Sequence, residues 1–268
     1  MLFEHIFFTI SLVAIFATSF AWNNRWFWRF ARSIRRFATV EKAGIVIHYQ
    51  PELTSGVYIS EFLQSCQSEL VNLVKLFGSP LPKSVIVFLF AHSRDISTIF
   101  GPRCGGLAIL QANAIVVAND NRVLESLRHE LAHLFSFRWN RFAAPLLSEG
   151  LSVWLQGTYF GLPIDTAALP QVRQACVRLT SLLRSKFFFS EAHQSRCYVL
   201  AGSFTGFLIR RYGWDCYRKL YRSCDGTRFR EKVQKHIGVS LEKAEWQWRN
   251  EVIVMPILNR RLGKKPHC

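Results

Sequence analysis

The alternation of apolar and polar residues divides this chain into one long apolar run, a set of short strand patterns and a series of amphipathic helices. The run comes first: from Ile6 to Trp22, IFFTISLVAIFATSFAW, no charge appears over 17 residues. As a helix it would measure about 25 Å against a hydrocarbon core of roughly 30 Å, and Leu2 and Phe3 extend it. The pattern predicts a single transmembrane anchor over residues 1–24. Trp22, Trp26 and Trp28 follow, interleaved with Arg25, Arg29, Arg32, Arg35 and Arg36, so residues 25–42 read as a basic, aromatic juxtamembrane segment at headgroup level. No Lys or Arg precedes the run and five Arg follow it, which leaves the rest of the chain in the cytoplasm. The alternative is export: Ser19-Phe20-Ala21 has a small-x-small pattern, but Glu4 stands where a signal peptide carries its basic residues.

Beyond this segment the periods shorten. GIVIHY (Gly44 to Tyr49) and SVIVFLF (Ser84 to Phe90) read as strands, the second buried because its apolar run is unbroken. Between them Val57 to Phe77 carries Phe62, Leu70, Leu73, Val74 and Phe77 at helical spacing and stops at Gly78-Ser79-Pro80. Leu107 to Ala118 reads as one further strand, entered through Gly105-Gly106 and closed by Asn119-Asp120-Asn121. From Asn121 onward the pattern is helical throughout. The expectation is an α+β chain: a transmembrane helix, a small mixed sheet and a helical half, with one domain over residues 43–258 and a basic tail, NRRLGKKPHC, over 259–268.

Composition narrows the function classes. Half of the residues are apolar and 14% aromatic, which excludes a disordered chain. The net charge of +16, from 34 Lys+Arg and 18 Asp+Glu, suits an anionic surface. No RNP-like aromatic sequence, zinc-finger spacing or helix-turn-helix signature accompanies it, which argues against nucleic acid as the partner. Seven cysteines, an odd number without C-x-x-C spacing, read as small buried hydrophobes in a reducing compartment.

The candidate chemistry lies in RHELAH, Arg128 to His133. On a helix Leu124, Leu127, Leu131, Leu134 and Phe135 share the core-facing stripe, and His129 and His133 point away from it. Their i, i+4 spacing stacks two imidazoles near enough to bind one Zn²⁺ at about 2.0–2.1 Å each. Glu130, turned by one residue, reaches a water on that ion rather than the ion itself. A catalytic zinc keeps three protein ligands and one open position. A metzincin would need Gly at 136 and His at 139, where Ser136 and Trp139 stand. Glu149 follows in PLLSEGLSVWLQG, a helix begun by Pro145. Antiparallel packing across the Arg138 to Ala144 loop could return Glu149 to the histidines; otherwise it is an early-turn glutamate stabilised by the helix dipole.

With HELAH, APLLSEGLSVWL, CYVLAGSFTGFLIRRYG (Cys197 to Gly213) and GVSLEKAEWQWRNEV (Gly238 to Val252), the chain resembles the minimal gluzincin domains of the peptidase MA-like superfamily over about residues 44–255. The resemblance implies one zinc ion held by His129, His133 and Glu149, with Glu130 as general base. It implies that the strand from Leu107 is the upper edge of the sheet, where an extended peptide could pair beside Gly105, Gly106, Leu107 and Ala108. It also places an oxyanion donor at Tyr198, with His193 just upstream as the lesser candidate. Thermolysin-like members carry an acid four positions after the glutamate ligand; Val153 stands here, so the group that orients the ligands is unassigned.

The expected function is a membrane-anchored zinc peptidase acting on a peptide or protein substrate. The alternative is a catalytically silent relative, a binding module tethered to the membrane. His48 and His92 have ligand spacing to nothing and read as structural or solvent-facing, and the three Phe of KFFFSEAH (Lys186 to His193) read first as core packing, with a substrate pocket or the bilayer as the alternatives. The sequence assigns no oligomeric state.

Overall fold

The computed structural model describes residues 25–53, 56–80, 84–102, 104–174 and 177–261. The expected anchor over 1–24 and most of the basic tail, from 262, lie outside the described residues. Among the described residues no helix is long and apolar enough to cross a membrane. The chain separates into two compact units, residues 1–134 and 135–268.

The first unit is built on a five-stranded mixed sheet. In chain order its elements are α1 (Arg25–Ser33), β1 (Ala38–Lys42), β2 (Ile45–Tyr49), α2 (Gly56–Phe77), β3 (Val85–Phe90), α3 (Ser93–Phe100), β4 (Gly106–Ile109), β5 (Ala114–Ala118) and α4 (Val123–Ser136). The strand order is β1-β2-β3-β5-β4. β2, β3 and β5 run parallel, and β1 and β4 close the two edges antiparallel. The central strands β3 and β5 are buried almost throughout, as their near-continuous Val, Ile and Phe require.

Two expectations change here. The single strand from Leu107 to Ala118 is a hairpin: a 3-10 turn at Leu110–Ala112 and Asn113 in the left-handed region (φ 48°) reverse the chain, so β4 alone forms the edge. Residues 25–42 do not stand apart from a domain starting at 43. Phe27, Phe30, Ile34 and Phe37, spaced so as to share one face of α1 and the turn after it, are all buried. Phe30 packs at 4.9 Å on Phe88 and 5.4 Å on Phe100, and Phe37 at 5.0 Å on Phe90. β1 then pairs with β2 over five residues. These core rings are not the tryptophans read at headgroup level: Trp28 is exposed, Trp26 is half-buried beside Phe100, and Trp22 lies outside the described residues.

The second unit holds α5 (Pro145–Gln156), a short hairpin β6 (Thr158–Tyr159) and β7 (Leu162–Pro163), α6 (Ile164–Gln174), α7 (Ser185–Phe188), α8 (Gln194–Tyr212), α9 (Trp214–Ser223), α10 (Phe229–Ile237) and α11 (Leu241–Arg261). It is not purely helical as the pattern predicted: Phe160 (φ 52°) and Gly161 (φ 75°) turn the hairpin, and Leu179–Leu183 is a 3-10 stretch. Its centre is the approach of α5 to α8. A Cβ at Gly150 would stand 2.6 Å from Thr205 Oγ1 and 2.8 Å from the Ala201 carbonyl, and one at Gly206 would stand 2.8 Å from Trp154 Cδ1. Side chains at these positions would force the helices apart. Trp248 Nε1 donates to Ser203 Oγ (2.9 Å), which donates to Asp165 Oδ1 (2.6 Å), tying α11, α8 and α6 by hydrogen bonds in the interior.

Candidate metal centre

The helix that carries both histidines starts at the end of the sheet. Asn119 N donates to the Phe90 carbonyl (2.7 Å), and Tyr58 Oη on α2 donates to Asn119 Oδ1 (2.5 Å), so the turn after β5 is fixed to β3 and to α2. Asp120 Oδ1 then accepts from Arg122 N (2.9 Å), an Asx turn that leads into α4. Leu127, Leu131, Leu134 and Phe135 are buried along α4 as the periodicity predicts, while Leu124 in its first turn is exposed. Arg128 Nε donates to Glu69 Oε1 on α2 (2.8 Å), fixing the rotation of the turn that carries His129.

His129 and His133 turn their Nε2 atoms to each other at 3.2 Å, with ring centroids 4.9 Å apart and planes at 73°. Two nitrogens bound to one tetrahedral Zn²⁺ at about 2.0–2.1 Å would stand about 3.3–3.4 Å apart, so the pair has the spacing of a shared ion. Glu149, on α5, completes a cluster: one ligand atom from each of His129, His133 and Glu149 lies within 4.8 Å of the others. Two imidazole nitrogens and one carboxylate oxygen form a donor set suited to zinc.

Glu130 is buried and lies against the edge strand. A Cβ at Gly106 would meet Glu130 Oε1 at 2.7 Å and its Cδ at 3.3 Å, so the carboxylate occupies the space that a side chain on β4 would take. Gly105 has open space around it. Leu107 and Ala108 lie on β4, the terminal strand. Cys104 is a further neighbour that the sequence did not single out. Burial pushes its thiol up to about 11, the Glu130 charge adds to this, and its Sγ donates to the Gly106 carbonyl at 3.1 Å.

Around Glu149 the structure adds a tyrosine that no spacing rule indicates. Tyr221 on α9 is buried; burial raises its hydroxyl pKa, a hydrogen bond with Ser136 opposes the rise, and the charge of Glu149 adds to it. Asn140 Nδ2 donates to the carbonyls of Tyr221 (3.0 Å) and Cys224 (2.9 Å), and Trp139 packs on Trp214 and Tyr221. The short connection into α5 is thereby fixed to α9. Val153 is wholly buried, so the position four after Glu149 holds packing, not an acid. Tyr198 lies on α8 with its ring edge-on to Phe188 at 5.3 Å, and His193 stacks on Phe187 at 4.6 Å. Among the described residues His129, His133 and Glu149 form the one group with metal-ligating geometry. His48 is a sheet residue, hydrogen-bonded to Thr39 and stacked on Phe88, and His92 precedes α3.

No protein-family model and no curated protein matches the chain. Among solved structures it is similar to a mutant M1 zinc metallopeptidase from Deinococcus radiodurans, with 18% identity over 81% of this chain and 51% of that one, at a TM-score of 0.48. A structure of such a mutant bound to a Tyr-Ser-Ala substrate gives 17% identity, the same coverages and a TM-score of 0.42. A further structure of an M1 zinc metallopeptidase from Deinococcus radiodurans gives 16% identity, 81% and 50% coverage, and a TM-score of 0.42. The chain thus spans about half the length of these proteins. Likeness this distant does not carry an activity across, and function rests on the side chains themselves.

Proposed function

We propose that this chain is a zinc-dependent peptidase, anchored to a membrane by the apolar run at its N-terminus, with the described residues in the cytoplasm. The carrying observation is the pairing of His129 Nε2 and His133 Nε2 at 3.2 Å, with one ligand atom from each of His129, His133 and Glu149 within 4.8 Å of the others. A zinc ion held there supplies Lewis acidity toward a scissile carbonyl and lowers the pKa of a water. Glu130 would be the group that takes a proton from the attacking water and returns it to the leaving amine. Gly106 leaves the room in which Glu130 stands beside the sheet edge. Among the described residues β4 pairs only with β5, so Gly106, Leu107 and Ala108 offer an open edge to an extended peptide, which would add as a strand. Tyr198 takes the oxyanion role on the strength of the sequence resemblance.

A second reading, a catalytically silent binding module, is favoured by Val153 in place of an acid. Zinc content and hydrolysis of a fluorogenic peptide library, measured for the native chain and Glu130→Gln, separate the two. The peptidase reading expects bound zinc in both and a loss of about 10²–10⁴-fold in hydrolysis for the variant. Equal hydrolysis by both would remove Glu130 from the chemistry, and zinc without hydrolysis in either would favour the silent module.

A further inference from the structure

The arginines after the apolar run form a structured site. A cavity of about 540 Å³ is lined by Arg32, Ser33, Arg35, Arg36 and Gln50. No carboxylate lines it, and among the described residues none pairs with Arg32, Arg35 or Arg36. The cations are held in place from behind: Phe30, Ile34 and Phe37, on the opposite face of the same segment, are fixed in the sheet core against Phe88 and Phe90. The neutral groups leave little to attract a cation. Gln50 Oε1 accepts from Ala91 N, so its free group toward the cavity is the NH₂ donor, and Ser33 Oγ donates its proton to the Phe30 carbonyl (2.7 Å). Three guanidiniums and an amide donor around one opening suit a phosphate ester, which guanidinium groups bind through paired N–H···O bonds.

We infer that this cavity binds the phosphate headgroup of an acidic phospholipid, so that the first unit sits directly on an anionic bilayer face. The source is argued from the chain itself: the uncharged run ends at Trp22, and the three arginines fall 10 to 14 residues later, within the distance over which basic residues act at a membrane surface. The apolar face of α1 is already used by the protein core, leaving its arginines for the lipid. The inference concerns a site remote in sequence from the metal ligands and stands whether or not the chain hydrolyses peptides.

The test uses the full chain in neutral detergent micelles doped with equal dioctanoyl phosphatidylglycerol and dioctanoyl phosphatidylcholine, with bound lipid read by native mass spectrometry. The acidic lipid should be retained in preference. The triple variant R32Q/R35Q/R36Q should lower that preference about a hundredfold, from about fivefold per arginine. R35Q and R36Q alone, each about fivefold weaker, serve if the triple variant does not fold by circular dichroism. R211Q, which removes one charge elsewhere on the chain, should leave the preference intact. Equal retention of both lipids, an R211Q effect as large as that of R35Q, or displacement of the acidic lipid by an equal concentration of inorganic phosphate would each overturn the inference.

Discussion

Adding one methyl group at Gly106 tests whether the carboxylate of Glu130 is placed for chemistry. The new Cβ would stand 2.7 Å from Oε1, and ordinary van der Waals contact begins at 3.4 Å, so the carboxylate must retreat by about 0.7 Å. The strand cannot yield instead, because the same Cβ has the Val116 carbonyl of β5 3.2 Å away. A glutamate side chain can absorb such a shift by rotation, so the stability cost is about 1 kcal/mol. A general base misplaced by about 1 Å loses about 10²-fold in rate, so Gly106→Ala should lower kcat/KM by about 10- to 100-fold with zinc content unchanged. Gly56→Ala, at the start of α2 and with nothing within 4 Å of its new Cβ, is the control and should behave as the native chain. The assay is hydrolysis of a fluorogenic peptide, read beside zinc content and Tm. A Gly106→Ala chain with native kcat/KM and native Tm, or a Gly56→Ala chain damaged as severely, would refute the placement.

Two further outcomes test the architecture. Phe30→Ala removes a ring that is wholly buried among Phe88, Phe90 and Phe100 and should cost about 3–5 kcal/mol, read by chemical denaturation; a loss under about 1 kcal/mol would mean that α1 is not part of the sheet core. Burial pushes the Cys66 thiol up to about 12 from its ordinary 9.0, so the folded chain keeps a proton that the unfolded chain releases. That contribution is complete below pH 9 and is lost as pH rises toward 12, reaching about 2 kcal/mol of loss near pH 10.5. Cys66→Ala should therefore lose stability less steeply over this interval, and identical slopes for the two chains would contradict the burial argument.

What the sequence revealed and what it concealed divide along physical lines. The parallel core strands β2 and β3 and the helix after β2 were legible within a residue or so, because unbroken apolar runs and helical periodicity report burial directly. The β4–β5 hairpin was hidden in one apolar stretch. Its turn depends on Asn113 adopting a left-handed conformation, and an Asn between two alanines is a weak local signal. In the segment 25–37 the alternation of aromatic and basic residues was plain but the core face was not: Phe27, Phe30, Ile34 and Phe37 are buried at a helical spacing that the intervening arginines conceal. At the site, His129, Glu130 and His133 are fixed by the geometry of a single helix. Tyr221, Asn140 and Cys104 come from elements far apart in sequence or from a loop, where no periodicity applies.

The proposed chemistry requires that His129, His133 and Glu149 hold one zinc ion. An anomalous difference map at the zinc edge, from crystals of the full chain grown with one equivalent of zinc, tests it directly. One peak is expected at about 2.0–2.2 Å from both Nε2 atoms and from a Glu149 carboxylate oxygen. No peak at the histidines, or a peak there with the Glu149 carboxylate beyond ligating distance, would contradict it.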